Sequence, residues 1–202
     1  SGMFNADFQY MPSDSSFTMT AGFNIDSLHY EGKRVGDLLL STVYLPLAEN
    51  EHQFDMHFFR DAQEIMQSSL HYSGGKEDSI MGDLSVLEMP LGMLNPFIPG
   101  NMAELNGVLS GKVSVEGTAG NPDIQGHLRM DSANMFVEMA NTTVRFDSKE
   151  VGIHDRKIWF DKYKLFASGD NPFVIDGTVD FHDMSNMTAG LKLNAQNMQL
   201  LD

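Results

Sequence analysis

Cysteine is absent from these 202 residues. Its absence excludes disulfides, thiolate metal sites, iron–sulfur clusters and cysteine nucleophiles together. A cysteine-free chain suits the cytosol and a bacterial envelope compartment alike, because it needs no redox protection in the latter. Basic residues are scarce: 13 Lys and Arg stand against 28 Asp and Glu, a formal charge of −15. Such a surface repels phosphate, so nucleic acid is not an expected partner, and binding to anionic headgroups is disfavoured for the same reason. No run of about 18 apolar residues occurs, so no helix is expected to span a bilayer. No signal peptide is visible. Helix signals are nearly missing too. What remains is 42% hydrophobic and only 20% charged, which is not the composition of a disordered acidic tail.

What is present is alternation with period two. In Phe173-Val174-Ile175-Asp176-Gly177-Thr178-Val179-Asp180-Phe181, the odd positions are Phe, Ile, Gly, Val and Phe and the even positions are mostly polar. Ile124, Gly126, Leu128 and Met130 form a second such face, against Gln125, His127, Arg129 and Asp131. Leu109, Gly111, Val113, Val115 and Gly117 form a third. Further runs are Phe17 to Ile25, Leu38 to Tyr44, Phe54 to Phe58, Ile80 to Val86 and Leu191 to Ala195, with weaker ones at Phe4 to Tyr10, Val144-Phe146, Val151-Ile153, Ile158-Phe160 and Leu165-Ala167. Successive side chains of a strand point to opposite faces, so each run predicts a half-buried strand. Turn chemistry separates them at Met11-Pro12-Ser13-Asp14, Glu31-Gly32-Lys33, Ser73-Gly74-Gly75-Lys76, Gly120-Asn121-Pro122-Asp123 and Gly169-Asp170-Asn171-Pro172.

Asp61 to Ser69 reads as either a short helix or a bulged strand. The segment 90–100 reads as a Pro-rich joint with one helical turn, begun near Pro90 and closed by Pro96 and Pro99. The fold expected is therefore all-β: a long antiparallel meander with hairpin connections, curled into an open trough or arranged as a two-sheet sandwich. The expected organisation is an N-terminal meander over 3–89, the joint at 90–100 and a second meander over 101–202. Ser1-Gly2 reads as an expression remnant, and the pattern breaking off at Leu200-Leu201-Asp202 reads as a piece of a longer protein. Glycines on the apolar faces (Gly82, Gly111, Gly126, Gly177) suit a sheet that bends sharply or meets another surface closely.

The search for chemistry is nearly empty. None of the seven histidines (His29, His52, His57, His71, His127, His154, His182) pairs at the spacing of a zinc helix, and His182-Asp183 reads as ordinary exposed chain. Gly107-Val108-Leu109-Ser110-Gly111 has a superficial likeness to a nucleophile elbow, but the spacing is wrong and a strand occupies it. Asn141-Thr142-Thr143 and Asn186-Met187-Thr188 match a glycosylation sequon, a pattern common by chance. No catalytic residue, metal or cofactor is expected. Trp159 with Tyr163 is the one candidate for an exposed aromatic platform, as a carbohydrate-binding sandwich would need; a glycosidase-type enzyme on a β scaffold is the weaker alternative. Methionine is abundant, at fifteen, and Met19, Met56, Met130, Met135 and Met139 fall on or near apolar faces. They serve either as flexible core filler or as a greasy binding surface.

From Pro90 onward the chain resembles the TamB family within the AsmA-like group of bacterial envelope proteins. The likeness rests on Pro90-Leu91-Gly92-Met93-Leu94-Asn95-Pro96-Phe97, on Leu105-Asn106-Gly107-Val108-Leu109-Ser110-Gly111, on Val115 through Gly126, on Asn171 through Phe181 and on Asn194 through Leu201. It covers the last 110 residues or so, and the earlier part only in style. The resemblance implies a long periplasmic protein anchored in the inner membrane through a region outside this sequence. It implies a meander curled into an open trough with an apolar interior, phospholipid transfer between membranes, and outer-membrane protein assembly with a BamA-like barrel partner. The groove lining expected is Val113, Val115, Ile124, Leu128, Met130, Val137, Val144, Phe146, Ile158, Phe160, Leu165, Phe173, Ile175, Val179, Phe181, Leu191 and Leu193. Gln125, Arg129 and Asp176 are expected outward.

Overall fold

The computed structural model describes residues 1–14, 16–47, 50–75, 78–98, 102–167, 172–183 and 186–195. Thirteen strands follow one another in a single antiparallel sheet: β1 Met3–Pro12, β2 Phe17–Tyr30, β3 Lys33–Pro46, β4 Glu51–Arg60, β5 Gln63–Ser73, β6 Ser79–Pro90, β7 Ala103–Thr118, β8 Asn121–Val137, β9 Thr142–Phe146, β10 Val151–His154, β11 Lys157–Phe166, β12 Phe173–Asp180 and β13 Thr188–Ala195. Among the described residues, helix is confined to two short 3-10 turns, Leu91–Phe97 and Glu138–Ala140. The all-β expectation holds, and too little helix exists to cover a sheet of this size.

Several local expectations change. Asp61-Ala62 is a tight turn with both residues at positive φ, and 63–69 belongs to strand β5. The 120–123 turn sits earlier: Ala119 and Gly120 make it, and Asn121-Pro122 already start β8, where proline is tolerated at a strand's beginning. Likewise β1 runs through Pro12. Pro96 lies inside the 3-10 turn rather than closing it, while Pro99 and the 169–171 part of the Gly169–Pro172 turn lie outside the described residues. Ser1 is not outside the fold: its carbonyl accepts from the His29 amide at 2.7 Å and its amino group donates to the His29 carbonyl at 2.7 Å. The runs at Val144 and Val151 share one position in the sheet. Strands β9 and β10 lie end to end between β8 and β11, pairing different stretches of each.

The chain divides into two units, one of residues 1–89 and 112–124, the other of 90–111 and 125–202. In the first, the register carries residues of one face from strand to strand. Ala6, Phe23, Leu40, Phe58, Met66 and Val86 stand opposite one another in sequence across β1 to β6. The next rows are Phe8–Ala21–Thr42–Met56–Ser68–Leu84 and Tyr10–Met19–Tyr44–Phe54–Leu70–Gly82. The opposite face is polar, with rows such as Asp7–Gly22–Ser41–His57–Gln67–Ser85. In the second unit the same arrangement gives Gly126–Ile153–Ile158–Val179–Ala189 and Phe160–Gly177–Leu191. Gly177 is required by close approach: at φ 134°, a β-carbon there would collide with the Gly190 carbonyl oxygen.

Deep burial occurs only in places. Among the described residues, the largest fully buried side chains are Tyr163, Ile65 and Val35, and each sits where the ladder slips. Val35 lies at the shift between Leu28 and His29, Ile65 at the shift between Phe58 and Phe59, and Tyr163 ends the shift that begins at Phe160. A bulge bends its strand and raises the local twist, which lets one side chain be enclosed. Val86, Val151 and Ile153 are also buried, and much of the rest of the apolar face is half-covered or, as at Phe8 and Leu193, exposed.

Candidate functional site

Across β1 to β6 the apolar face has neighbours but no lid. Apart from Val86, its side chains are half-buried, as at Leu40, Phe58 and Met66, or exposed, as at Phe8 with 66%. At its middle is a hollow of about 220 Å³ lined by Leu40, Met56, Phe58, Met66, Gln67, Ser68 and Leu84. Small Ser68 stands between Met56 and Leu84 in its row, so the flanking larger side chains surround a dip. These residues precede the segment from which the groove lining was expected. The sequence signal for Leu40, Met56, Phe58 and Leu84 was the same alternation at Leu38–Tyr44, Phe54–Phe58 and Ile80–Val86, whereas Met66, Gln67 and Ser68 fall in the stretch that read as either a short helix or a bulged strand.

One end of this face is aromatic. Ring centroids lie 5.3 Å apart for Tyr10–Phe17, 6.0 Å for Phe17–Tyr44, 5.9 Å for Tyr44–His52 and 5.8 Å for His52–Tyr72. The His52 ring is stacked near-parallel on both tyrosines, at 16° and 25°. The Tyr44 hydroxyl and His52 Nδ1 share a hydrogen bond of 2.8 Å. Beside the ladder, the Asp78 carboxylate accepts from the Tyr72 hydroxyl, and desolvation together with that charge raises the Tyr72 pKa. The other end is ionic: Arg34 donates to Asp61 at 2.6 Å and to Asp37 at 3.4 Å, and Arg60 Nε donates to the Val35 carbonyl at 2.7 Å. The Arg34 guanidinium, foremost through its hydrogen bonds, holds the Asp61 carboxyl down at about 2.

The polar face carries a separate hollow of about 400 Å³ lined by Asp55, His57, Ser69, Asp83, Ser85 and Lys112, among others. Ser69 donates to Asp55 at 2.6 Å, His57 meets Glu64 at 2.5 Å and Lys112 meets Asp83 at 3.4 Å. Among the described residues no polar side chain is buried and no group of three or more His, Asp or Glu could hold a metal ion.

Of the expected lining, Val113 and Val115 lie on β7, and Ile124, Leu128, Met130 and Val137 on β8. Val144 and Phe146 lie on β9, Ile158, Phe160 and Leu165 on β11, and Phe173, Ile175 and Val179 on β12. Phe181 follows β12, and Leu191 and Leu193 lie on β13. All are half-buried except Leu191 and Leu193, which are exposed. Val113, Val115 and Ile124 belong to the first unit and the others to the second. Opposed pairs confirm shared faces within the second unit: Leu128 with Val151, Phe146 with Leu165, Leu165 with Phe173, and Ile175 with Leu193. Of the residues expected outward, Gln125 and Arg129 are exposed, whereas Asp176 is half-buried and accepts the Lys162 amide at 2.9 Å across a bulge. Met139, expected near an apolar face, is 88% exposed on the second 3-10 turn.

The aromatic platform does not form. Tyr163 is 2% exposed and its hydroxyl donates to the Asp147 carbonyl at 2.7 Å, so it presents no ring to solvent. Trp159 instead stacks on His154, with centroids 4.7 Å apart and planes 7° from parallel. No described helix is long and apolar enough to cross a membrane. Comparison with protein-family models, with curated proteins and with solved structures returns no match to this chain.

Proposed function

We propose that this chain is a non-enzymatic segment of a TamB-like periplasmic protein, and that its apolar sheet face holds the acyl chains of phospholipids in transit between membranes. In the full-length chain the same face serves outer-membrane protein assembly with a BamA-like barrel. The observation that carries this reading is the in-register apolar row from Ala6 to Val86, exposed at Ala6, half-covered from Phe23 to Met66 and buried at Val86. A sheet hydrophobic on one face must bury it against something. Each acyl methylene withdrawn from water contributes about 0.8 kcal/mol. A row running across six strands offers equivalent contacts at each strand, so a chain exchanges neighbours without returning to water. Its headgroup stays wet at the strand ends.

Site-specific photo-crosslinking tests this. A photoreactive phenylalanine analogue at Phe58, on the apolar face, is expected to capture phospholipid in bacterial cells. The same analogue at His57, one residue along on the polar face, is expected not to. Capture at both positions or at neither contradicts the proposal.

A further inference from the structure

The apolar face of the first unit has two unlike ends, and the difference specifies a headgroup. At the end formed by the β2–β3 and β4–β5 turns, Arg34 pairs with Asp37 and Asp61, and Arg60 Nε donates to the Val35 carbonyl and lies 3.8 Å from Asp61. With Glu31 and Lys33 in the same turns, acidic and basic residues there balance. At the opposite end the five rings of Tyr10, Phe17, Tyr44, His52 and Tyr72 cross five strands. Beyond them, at the same end of the sheet, the described residues of the connections and strand ends include three carboxylates, Asp14, Glu51 and Asp78, of which Asp78 accepts from the Tyr72 hydroxyl.

Rings with a hydroxyl and an apolar body sit where greasy and wet regions meet. Ring faces attract ammonium ions, and neighbouring carboxylates attract them further while repelling anionic groups. The spacing is also right. From His52 to Met56 and Phe58 is four to six residues along β4, roughly 13–20 Å at ~3.3 Å per residue. Half of a bilayer's hydrocarbon core is about 15 Å. A headgroup at the ladder therefore places its chain ends over the hollow between Leu40, Met56, Phe58, Met66 and Leu84.

We propose that the Tyr10–Phe17–Tyr44–His52–Tyr72 ladder is a headgroup site for a glycerophospholipid bearing a primary ammonium, the phosphatidylethanolamine class, with its acyl chains lying along the strands toward the hollow. This rests on the lipid-holding reading and adds to it an orientation and a headgroup preference. Phosphatidylethanolamine satisfies both requirements, because its ammonium meets the carboxylates and its phosphate lies outside them. Phosphatidylglycerol offers only negative charge to the same rim.

The test uses the 202-residue chain with Trp159→Phe as background, since Trp159 lies outside the first unit. Tyr72→Trp reports from the ladder and Phe58→Trp from the hollow, with Leu84→Trp as the second hollow reporter should Phe58→Trp fail to fold. Each is mixed with vesicles containing phospholipid nitroxide-labelled either at the headgroup or near the chain end. The expected result is stronger quenching of Tyr72→Trp by the headgroup label and of the hollow reporter by the chain-end label. In otherwise identical vesicles, unlabelled phosphatidylethanolamine should displace the labelled lipid about fivefold more effectively than phosphatidylglycerol. Glu51→Gln with Asp78→Asn should narrow that ratio. Quenching without the depth order overturns the orientation, and equal displacement overturns the headgroup assignment; both leave the lipid-holding reading standing. No quenching of either reporter overturns that reading and this one with it.

Discussion

Phe58 on β4 stands directly opposite Met66 on β5, and both line the same hollow without being enclosed by it. The pair is neighboured but not covered, and this defines the energetics of the whole face. Truncating Phe58 should release only part of a buried aromatic's stabilisation. Phe58→Ala is expected to cost about 1–2 kcal/mol in urea unfolding, against the roughly 3–5 kcal/mol of a closed core. Ile65, at 0% exposure in the adjacent bulge, should cost about 2–5 kcal/mol as Ile65→Ala. A Phe58→Ala loss in the closed-core range would mean that another layer covers the face.

A charge on the apolar side should obstruct a conduit where one on the polar side does not. Leu128, half-buried opposite Val151, and exposed Gln125 lie on different faces of β8. In the full-length protein, Leu128→Arg is expected to compromise the outer membrane, read as sensitivity to detergent and large antibiotics, while Gln125→Arg leaves it intact. An unpaired charge among acyl chains lacks water and a counter-ion. The expectation concerns variants shown to be folded, because a lesion in packing would also abolish function. A folded Leu128→Arg protein that supports a normal envelope would remove this face from the path.

Tyr163 reports on the second unit. Burial, with the Asp147 carboxylate a lesser cause, pushes its phenol up to about 12. The folded chain then keeps a proton that the unfolded chain gives up near 10, so stability should fall as pH rises from about 10 toward 12. Tyr163→Phe should remove this alkaline dependence and cost about 1 kcal/mol at neutral pH through the lost bond to the Asp147 carbonyl. An ultraviolet titration in which every tyrosine ionises together near 10 would contradict the burial.

The ionic end of the first unit predicts an acid response. Asp61 has its carboxyl held at about 2 against an ordinary 3.8. A depressed folded-state value means stabilisation that is complete above the ordinary value and lost as pH falls from there toward 2. Both side chains are partly exposed, so the effect should be small and weaken with salt. Arg34→Ala should flatten the unfolding midpoint against pH between about 4 and 2; an unchanged slope would show that the pair contributes nothing.

Much of this was legible in the amino-acid order. The strand of Phe173 to Asp180 and the inward side of Leu128 follow from period two alone, because burying one face forces alternation. The bulges were legible only in part: a bulged strand was one of the two readings of Asp61 to Ser69, around Ile65, while nothing distinguishes Val35 or Tyr163 from their neighbours in an alternating run. A ladder slip encloses all three and makes Tyr163 a packed residue instead of an exposed ring. The ladder at Tyr44, His52 and Tyr72 was equally hidden, since it depends on cross-strand register, which pairs residues far apart in sequence. The hollow was half visible: Leu40, Met56, Phe58 and Leu84 were read as strand and Met66 to Ser68 as either helix or bulged strand, but only register brings them to one place.

The central claim is that the apolar face holds lipid, and native mass spectrometry of protein purified from bacteria without detergent addresses it most directly. The account predicts additional masses matching one or more phospholipids, confirmed by solvent extraction and missing from a soluble β-sandwich prepared in parallel. Protein that carries no lipid, and that takes up no fluorescent phospholipid from vesicles, would contradict it.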